Sequence, residues 1–138
     1  MCYYVRRTKG RVAKEDIAVD KYFEWLNKSI VSPYRSYPYI KAIQPKIPLI
    51  IDRRSRPYTI SKGYHSYIEG TDAVSFFLKQ QIGIKCIIPK GAEYFTNGFQ
   101  IVSDQIILTN KIFQLDSPYL REREDLIKNK LDKLVNKQ

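Results

Sequence analysis

The sequence contains few of the residues that build covalent or metal-bound frameworks. Its 138 residues include two cysteines and one histidine, and Cys2 lies far along the chain from Cys86. Cys86 stands within the apolar run IKCII, which predicts a buried thiol in a strand. These residues therefore predict neither a disulfide framework nor a metal site.

The sequence also lacks glycine-rich phosphate-binding loops and apolar runs long enough to span a membrane. The six glycines are scattered singly, which excludes loops of the Walker or Rossmann kind. No segment approaches the ~20 apolar residues that a bilayer span requires, and the opening MCYYVRRTKG has no apolar stretch typical of a signal peptide. We therefore expect a cytoplasmic, globular chain of one domain.

Tyrosine and positive charge are concentrated in the first half of the chain. Residues 1–70 hold nine of the eleven tyrosines and a net charge of +8, from fourteen Lys/Arg and six acids. Phenol rings stack on planar bases, and guanidinium groups fork onto phosphates. The pattern favours a planar, phosphorylated ligand. The alternative is that the tyrosines belong to strands and the cations to a solvated surface.

The N-terminal half predicts an arm, strands and a long loop. Residues 1–12 are expected to form a basic arm. Residues 15–26 fit both a strand and a helical face, and their β-branched and aromatic residues favour the strand. Residues 32–48 contain four prolines, which predicts a long ordered loop or short edge pieces. A strand at 49–51 should lead into a basic turn at 52–57.

The middle of the chain predicts one short helix between strands. A strand is expected at 63–69, and a helix from Thr71, a good N-cap, to Gly83, which ends it. The Asn97-Gly98 pair predicts a hairpin. Further strands are expected at 85–89, 93–95, 100–102 and 105–108, the last continued by 111–115.

The final segment, 117–138, predicts a long amphipathic helix after a single domain of residues 1–116. Ser117 caps it, Pro118 takes the first helical position, and acids at its beginning and lysines at its end suit the helix dipole. An apolar stripe either docks on the chain's own sheet or pairs with a partner's helix. The stripe consists of Leu120, Ile127, Leu131 and Leu134. The expected fold class is α+β: a twisted, mainly antiparallel sheet with one short helix packed on it and this C-terminal helix.

The predicted ligand site combines arginines for phosphate with tyrosines for stacking and His65 as a polar contact. Its residues are Arg53, Arg54, Arg56, Tyr58, Tyr64, Tyr34 and His65. Ser66 follows His65 directly, and neighbouring strand residues point to opposite faces, which argues against a nucleophile–base dyad. The favoured function is therefore non-catalytic binding of a small anion, without a cofactor.

Several segments resemble a group of small uncharacterised proteins from phages and gut Bacteroidetes. The likeness lies in GYHSYI, KCIIPKGAEYF and IVSDQIIL, and in AKEDIAV before a Ser-Pro-Tyr loop. It covers about residues 10–108. Phages make small binding proteins that sequester bacterial immune signals, so the resemblance implies a counter-defence protein of the host cytoplasm.

The order of elements also resembles ADP-ribosyltransferase domains. A strand with Gly-aromatic-x-Ser, a helix, a strand ending in Pro-Lys-Gly and a closing strand follow one another. Where that family has a glutamate that contacts the nicotinamide ribose, this chain has Ser103-Asp104-Gln105, and the Ser-Thr-Ser signature is reduced to Ser66-Tyr67. The resemblance therefore implies a nucleotide-sized cleft that binds without the catalytic acid.

Three other functions are compatible with the sequence. In a single-stranded nucleic-acid-binding module, the basic arm would follow phosphates and the tyrosines would stack on bases. The arm residues are Arg6, Arg7, Lys9 and Arg11. A transferase would use Tyr64, His65 and Asp104 around a dinucleotide. A virion structural or interaction protein would need no ligand, only symmetric assembly.

Overall fold

A computed structural model describes residues 4–5, 10–32, 38–39, 41–54, 58–69 and 81–136. They form a mostly antiparallel sheet structure with a short helix and a C-terminal helix, so the α+β class is confirmed. The strands are β1 (Tyr4–Val5), β2 (Arg11–Val12), β3 (Ile17–Leu26), β4 (Ser29–Val31), β5 (Ile50–Asp52), β6 (Tyr58–Lys62), β7 (Tyr64–Ile68), β8 (Gln81–Ile88), β9 (Glu93–Thr96), β10 (Gln100–Ser103) and β11 (Ile107–Leu115). The helices are α1 (Pro118–Arg121) and α2 (Glu124–Asn136).

The large sheet is built around β3. Its strand order is β11-β8-β3-β7-β10-β9-β2, with β4 paired to β3 beside this path. β3 pairs with β8 along nearly its whole length, from Ile17 opposite Ile88 to Glu24 opposite Gln81. On its other side β3 pairs first with β7 and then with β4. The strand predicted for residues 15–26 is thus the central strand of the sheet.

The two faces of β3 differ in chemistry. One face, called here the helix face, carries Val19 and Phe23, which pack in the main core with apolar residues of β8 and of both helices. The opposite face, called here the aromatic face, carries Asp20 and Tyr22, because side chains alternate along a strand. Lys21 shares the helix face with Val19 and Phe23, and it is buried there.

The C-terminal helix is present but interrupted. Ser117 caps it as predicted, its side chain accepting a hydrogen bond from the Leu120 backbone at 3.3 Å, and Pro118 follows the cap. The expected single helix is nevertheless divided, because Glu122 and Arg123 form a turn between α1 and α2. In that turn the Arg123 amide donates to the Leu120 carbonyl three residues earlier, the tighter spacing of a 3₁₀ turn.

The apolar stripe of the C-terminal segment docks on the chain's own sheet. All of its members are buried and belong to the main core cluster: Leu120, Ile127, Leu131 and Leu134. The alternative in which these residues form an oligomer contact is therefore corrected, since they have no surface left for a partner helix.

A small second sheet packs on the aromatic face of the large one. Its order is β1-β6-β5, and all its pairings are antiparallel. Ile60 of β6 meets Phe95 and Val102 of the large sheet in a separate apolar cluster. Gly63 joins β6 to β7, and a Cβ there would collide with Val102 and Leu49, so close approach of the chain requires glycine.

Some strands were not expected from the sequence. Within the predicted arm, β1 pairs with β6 and β2 pairs with β9, so the description of residues 1–12 as an arm is wrong for these two pieces. β4 and β6 were also missed. The turn between β3 and β4 holds Asn27 and Lys28 at φ 50° and 59°. It was not predicted because lysine stands at the second position, where glycine is usual in such a turn.

The predicted helix from Thr71 to Gly83 lies largely outside the described residues. Its last residues, Gln81 to Gly83, belong to β8 instead, because the whole strand pairs with β3. Gly83 does not end a helix. It makes room for a ring, since a Cβ at Gly83 would lie 2.6 Å from the Cζ atom of Phe113.

The remaining described pieces agree with expectation. Asn97 and Gly98 connect β9 to β10 in an antiparallel hairpin. Residues 41–48 form an ordered stretch with an isolated bridge from Ile43 to Ile107. Among the helices that the structure describes, none is long and apolar enough to cross a bilayer.

Candidate functional site

Three residues of the predicted ligand site lie at one end of the small sheet. Asp52 of β5 is paired with Thr59 of β6, so Arg53, which follows Asp52, and Tyr58, which precedes Thr59, leave the sheet at the same end. Arg53 and Arg54 are exposed, and Tyr58 is half-buried. We call Arg53, Arg54 and Tyr58 the arginine corner.

Tyr58 is held by packing. Its ring packs against the cluster of Ile60, Phe95 and Val102, which joins the small sheet to the large one. A ring held by packing loses little freedom when it makes a further contact. The backbone places Tyr58 at the end of the small sheet from which Arg53 and Arg54 also leave it.

Arg54 already holds a carboxylate within the chain. Its Nε lies 3.0 Å from Asp52 Oδ1 and 3.1 Å from Oδ2, and its Nη2 lies 2.6 Å from Oδ2. The Arg54 backbone amide also donates to Asp52 Oδ1, at 3.0 Å. These hydrogen bonds lower the pKa of Asp52 to about 2 and raise that of Arg54. The pair is on the surface, with the Arg54 side chain 90% exposed.

Arg53 differs from its neighbour. Within the described part of the chain it makes no ion pair, since the described ion pairs involve Lys46, Arg54, Lys85 and Arg123. Among the described residues, the corner thus contains one guanidinium group held by a carboxylate and one that makes no ion pair.

Tyr64 and His65 lie on β7, which follows Gly63 and belongs to the large sheet. The Tyr64 hydroxyl donates to the Pro45 carbonyl, and burial raises its pKa. His65 Nδ1 lies 3.2 Å from the Gly63 carbonyl oxygen. That these two residues form one grip with the arginine corner stays a prediction.

The other predicted contacts fall partly outside the described residues. Tyr34 and Arg56 are among the undescribed positions, as are Arg6, Arg7 and Lys9 of the nucleic-acid alternative. Arg11 is described and exposed, on β2 at the edge of the large sheet. A single exposed cation there neither supports nor contradicts phosphate tracking.

A row of four aromatic rings on the aromatic face was not predicted from the sequence. Phe113, Tyr22, Tyr67 and Phe99 follow one another edge to face, with successive ring centroids 5.6, 5.9 and 5.4 Å apart. Tyr22 and Tyr67 are buried. The row is therefore part of the packing and offers no open stacking surface. Alternation along β3, which places Tyr22 beside Asp20, was the available sequence signal.

An ion pair crosses the same face next to this row. Asp20 and Lys85 stand directly opposite each other on β3 and β8, and Lys85 Nζ lies 2.8 Å from Asp20 Oδ1. Glu69 lies 3.6 Å from the same amine, and the Phe113 ring centroid lies 4.8 Å from it. Burial lowers the pKa of Lys85, but the hydrogen bond to Asp20 and the nearby carboxylates raise it overall. Every charge here is paired, as buried charges require.

One buried polar atom on β8 has no partner. Gln81 is 5% exposed, and within the described structure its Oε1 accepts no hydrogen bond. Gln100 of β10 is better satisfied, since its Nε2 donates to the Tyr67 hydroxyl at 3.4 Å. The Gln81 amide oxygen is thus the least satisfied of the described polar groups on the aromatic face.

Lys21 is the most unusual charged residue on the helix face. It is 8% exposed, and Nζ donates to the His65 carbonyl at 2.6 Å. Desolvation by burial lowers its pKa to about 8, against a weaker opposite influence of Cys86. Burial likewise raises the pKa of Cys86 to about 12 and raises that of Tyr39. The alternation along β3 puts position 21 on the same face as Val19 and Phe23, but the burial of its lysine was not predicted from the sequence.

The residues of the transferase alternative serve the fold. Asp104 is buried, and its Oδ1 accepts a hydrogen bond from the Glu93 backbone at 3.0 Å. Lys46 lies 3.9 Å from its other oxygen. Ser66 donates to the Ile101 carbonyl, so it faces the core while His65 points to the other side of β7. Among the described residues, no three His, Cys, Asp or Glu side chains are placed to hold a metal ion.

Comparison with known proteins identified no relative of this chain. No protein-family model, no curated protein and no solved structure matches the chain. What the arginine corner can bind is therefore decided by the chemistry of its own residues.

Proposed function

We propose that this protein is a non-catalytic binding protein for a small anionic, nucleotide-like ligand held at the arginine corner. The observation that carries the proposal is the placement of two exposed arginines beside a half-buried tyrosine at one end of the small sheet. Phosphate oxygens would take the guanidinium groups, and a planar base would lie on the ring.

The proposal of binding without catalysis is supported by what the reactive side chains do. The Tyr64 hydroxyl and the Asp104 carboxylate are both engaged with backbone groups. The Lys21 amine donates to a backbone carbonyl inside the core. The described contacts of the arginine corner include donors for an anion and no nucleophile–base pair.

The cellular role belongs to the same proposal. We suggest a phage-type protein of the host cytoplasm that sequesters a nucleotide-like immune signal, on the support of the sequence resemblance. The two C-terminal helices would act together as one amphipathic cover of the large sheet, because their apolar residues share its core. A homo-oligomer, if formed, would use a surface other than the apolar stripe.

The first test is native mass spectrometry of the protein as purified from cells, followed by titration with ADP. The proposal expects either a co-purifying ligand of a few hundred daltons or saturable ADP binding. Arg53→Ala and Arg54→Ala should each weaken that binding about tenfold or more, because charge-assisted hydrogen bonds contribute about 1.5–3 kcal/mol. Their thermal midpoints should match the wild type, since both side chains are exposed.

Arg121→Ala is the matched control, because it removes an exposed arginine from α1, outside the arginine corner. Equal loss of ADP affinity in all three variants would show that only net charge matters and would contradict the proposal. Tight binding of a single-stranded oligothymidylate that falls steeply with salt, together with no ADP binding, would favour the nucleic-acid function instead. A ligand-free symmetric oligomer would favour a structural role.

A further inference from the structure

The carboxylate of Asp52 occupies the position that a ligand phosphate would take on Arg54. Both of its oxygens lie against the fork of the guanidinium group, in contacts from Nε and Nη2 of 2.6 to 3.1 Å. A phosphate uses the same two-point geometry on arginine. The chain therefore carries its own anion in one of the two-point phosphate positions of Arg54.

The attachment of Asp52 keeps this anion in place. Its Oδ1 also accepts the Arg54 backbone amide, and Asp52 is fixed in β5 by its pairing with Thr59. A tethered group competes at a high effective concentration, so a free anion of equal charge and geometry is at a disadvantage. The pKa of Asp52, lowered to about 2, keeps the carboxylate charged at any ordinary pH.

We propose that Asp52 is an internal competitor that sets the ligand class of the arginine corner. This rests on the proposed function. A free carboxylate offers only what Asp52 already supplies, so it gains nothing on Arg54. A ligand must bring more negative charge and a second anionic group that reaches the unpaired Arg53. The class that meets both conditions is a diphosphate, with its two phosphate groups shared between Arg53 and Arg54.

Asp52 occupies one of the two bidentate edges of the guanidinium group, through Nε and Nη2 together, while Nη1 makes no described contact. Removing the carboxylate should therefore free a donor surface and strengthen anion binding.

The test uses inorganic pyrophosphate as the probe, measured by calorimetry on the full chain. Asp52→Asn removes the charge and keeps an oxygen that can accept the Arg54 amide. It should tighten pyrophosphate binding about two- to fivefold, the range expected from an exposed ion pair. In an Arg54→Ala background the same substitution should have a smaller effect, because the competition is lost with the fork. Acetate should bind the wild type far more weakly than pyrophosphate.

Glu122→Gln is the matched control, since Glu122 forms another exposed ion pair, 3.8 Å from Arg123, and loses the same charge. An equal gain in both variants would overturn the inference by showing a net-charge effect. Weaker or unchanged pyrophosphate binding in Asp52→Asn, with the wild type and Arg54→Ala behaving as expected, would overturn it and leave the proposed function standing. No saturable binding of pyrophosphate or ADP to any variant would overturn the proposed function itself.

Discussion

The buried amine of Lys21 gives a prediction whose sign and size follow from the structure. Desolvation lowers its pKa from 10.5 to about 8. Since one pKa unit corresponds to ~1.4 kcal/mol, protonated Lys21 lowers the free energy of unfolding by about 3 kcal/mol at pH 7. Lys21→Met removes this penalty and keeps an unbranched side chain among the apolar residues of the helix face.

The gain from Lys21→Met is reduced by two lost contacts. The hydrogen bond from Nζ to the His65 carbonyl and the contact of Nζ with the Phe23 ring, 5.7 Å from its centroid, disappear at a cost of about 1.5–3 kcal/mol. We therefore expect the free energy of unfolding to rise by up to about 1.5 kcal/mol at pH 7. Urea denaturation followed by circular dichroism measures this difference. Lys128→Met, at an exposed position of α2, is the control and should change stability by less than about 0.5 kcal/mol.

The pH dependence separates this explanation from simple repacking. Between pH 8 and 10.5 the unfolded chain holds a proton on Lys21 that the folded chain has lost, so wild-type stability rises with pH. Cys86 acts in the opposite direction between pH 9 and 12, because its pKa is raised from 9.0 to about 12 in the folded state. Between pH 8 and 9 Lys21 titrates and Cys86 does not. In this range the stability difference between Lys21→Met and the wild type should begin to decrease.

The reasoning about Lys21 would be refuted by one result. If Lys21→Met lowers the free energy of unfolding by more than about 2 kcal/mol, with a difference that is constant from pH 7 to 9, then the lysine stabilises the native state through its contacts. The contacts of Nζ with the His65 carbonyl and the Phe23 ring would then outweigh the desolvation penalty.

Two further substitutions test the packing. Leu131→Ala empties a fully buried position of the stripe and should lower the free energy of unfolding by about 2–5 kcal/mol, with an unchanged elution volume in size-exclusion chromatography; dissociation of an oligomer without loss of stability would show that the stripe faces a partner. Gly83→Ala should cost about 1–3 kcal/mol in thermal or urea unfolding, because the new methyl group overlaps the Phe113 ring. Adding Phe113→Leu should recover part of that loss, and no recovery would exclude this clash as the cause.

Local sequence signals predicted the elements that make their own hydrogen bonds or carry a clear period. The Ser117 cap and the Asn97-Gly98 hairpin were both predicted correctly, because each signal acts within a few residues. The strand at β3 was favoured over a helix by its β-branched and aromatic residues. Gly83 was wrongly predicted to end a helix, since a glycine needed for close packing cannot be distinguished in the sequence from one that ends a helix.

Short edge strands could not be predicted because their partners are distant. β1 and β2 have two residues each, and they are strands only because β6 and β9 supply the other half of their hydrogen bonds. The arginine corner also depends on pairing between strands, because Asp52 of β5 lies opposite Thr59 of β6 and so brings Arg53 and Tyr58 to the same end of the small sheet.

Local properties of the sequence, namely composition, period and capping, were enough to specify the α+β class, the cap and position of the C-terminal helix, and the surplus of arginine and tyrosine in the first half. Two features depended on contacts between distant parts of the chain. The apolar stripe docks on the chain's own core, and Lys21 is buried on the helix face. Each depends on which strands and side chains meet across the fold, and that choice minimises exposed apolar area and unpaired polar groups over the whole chain.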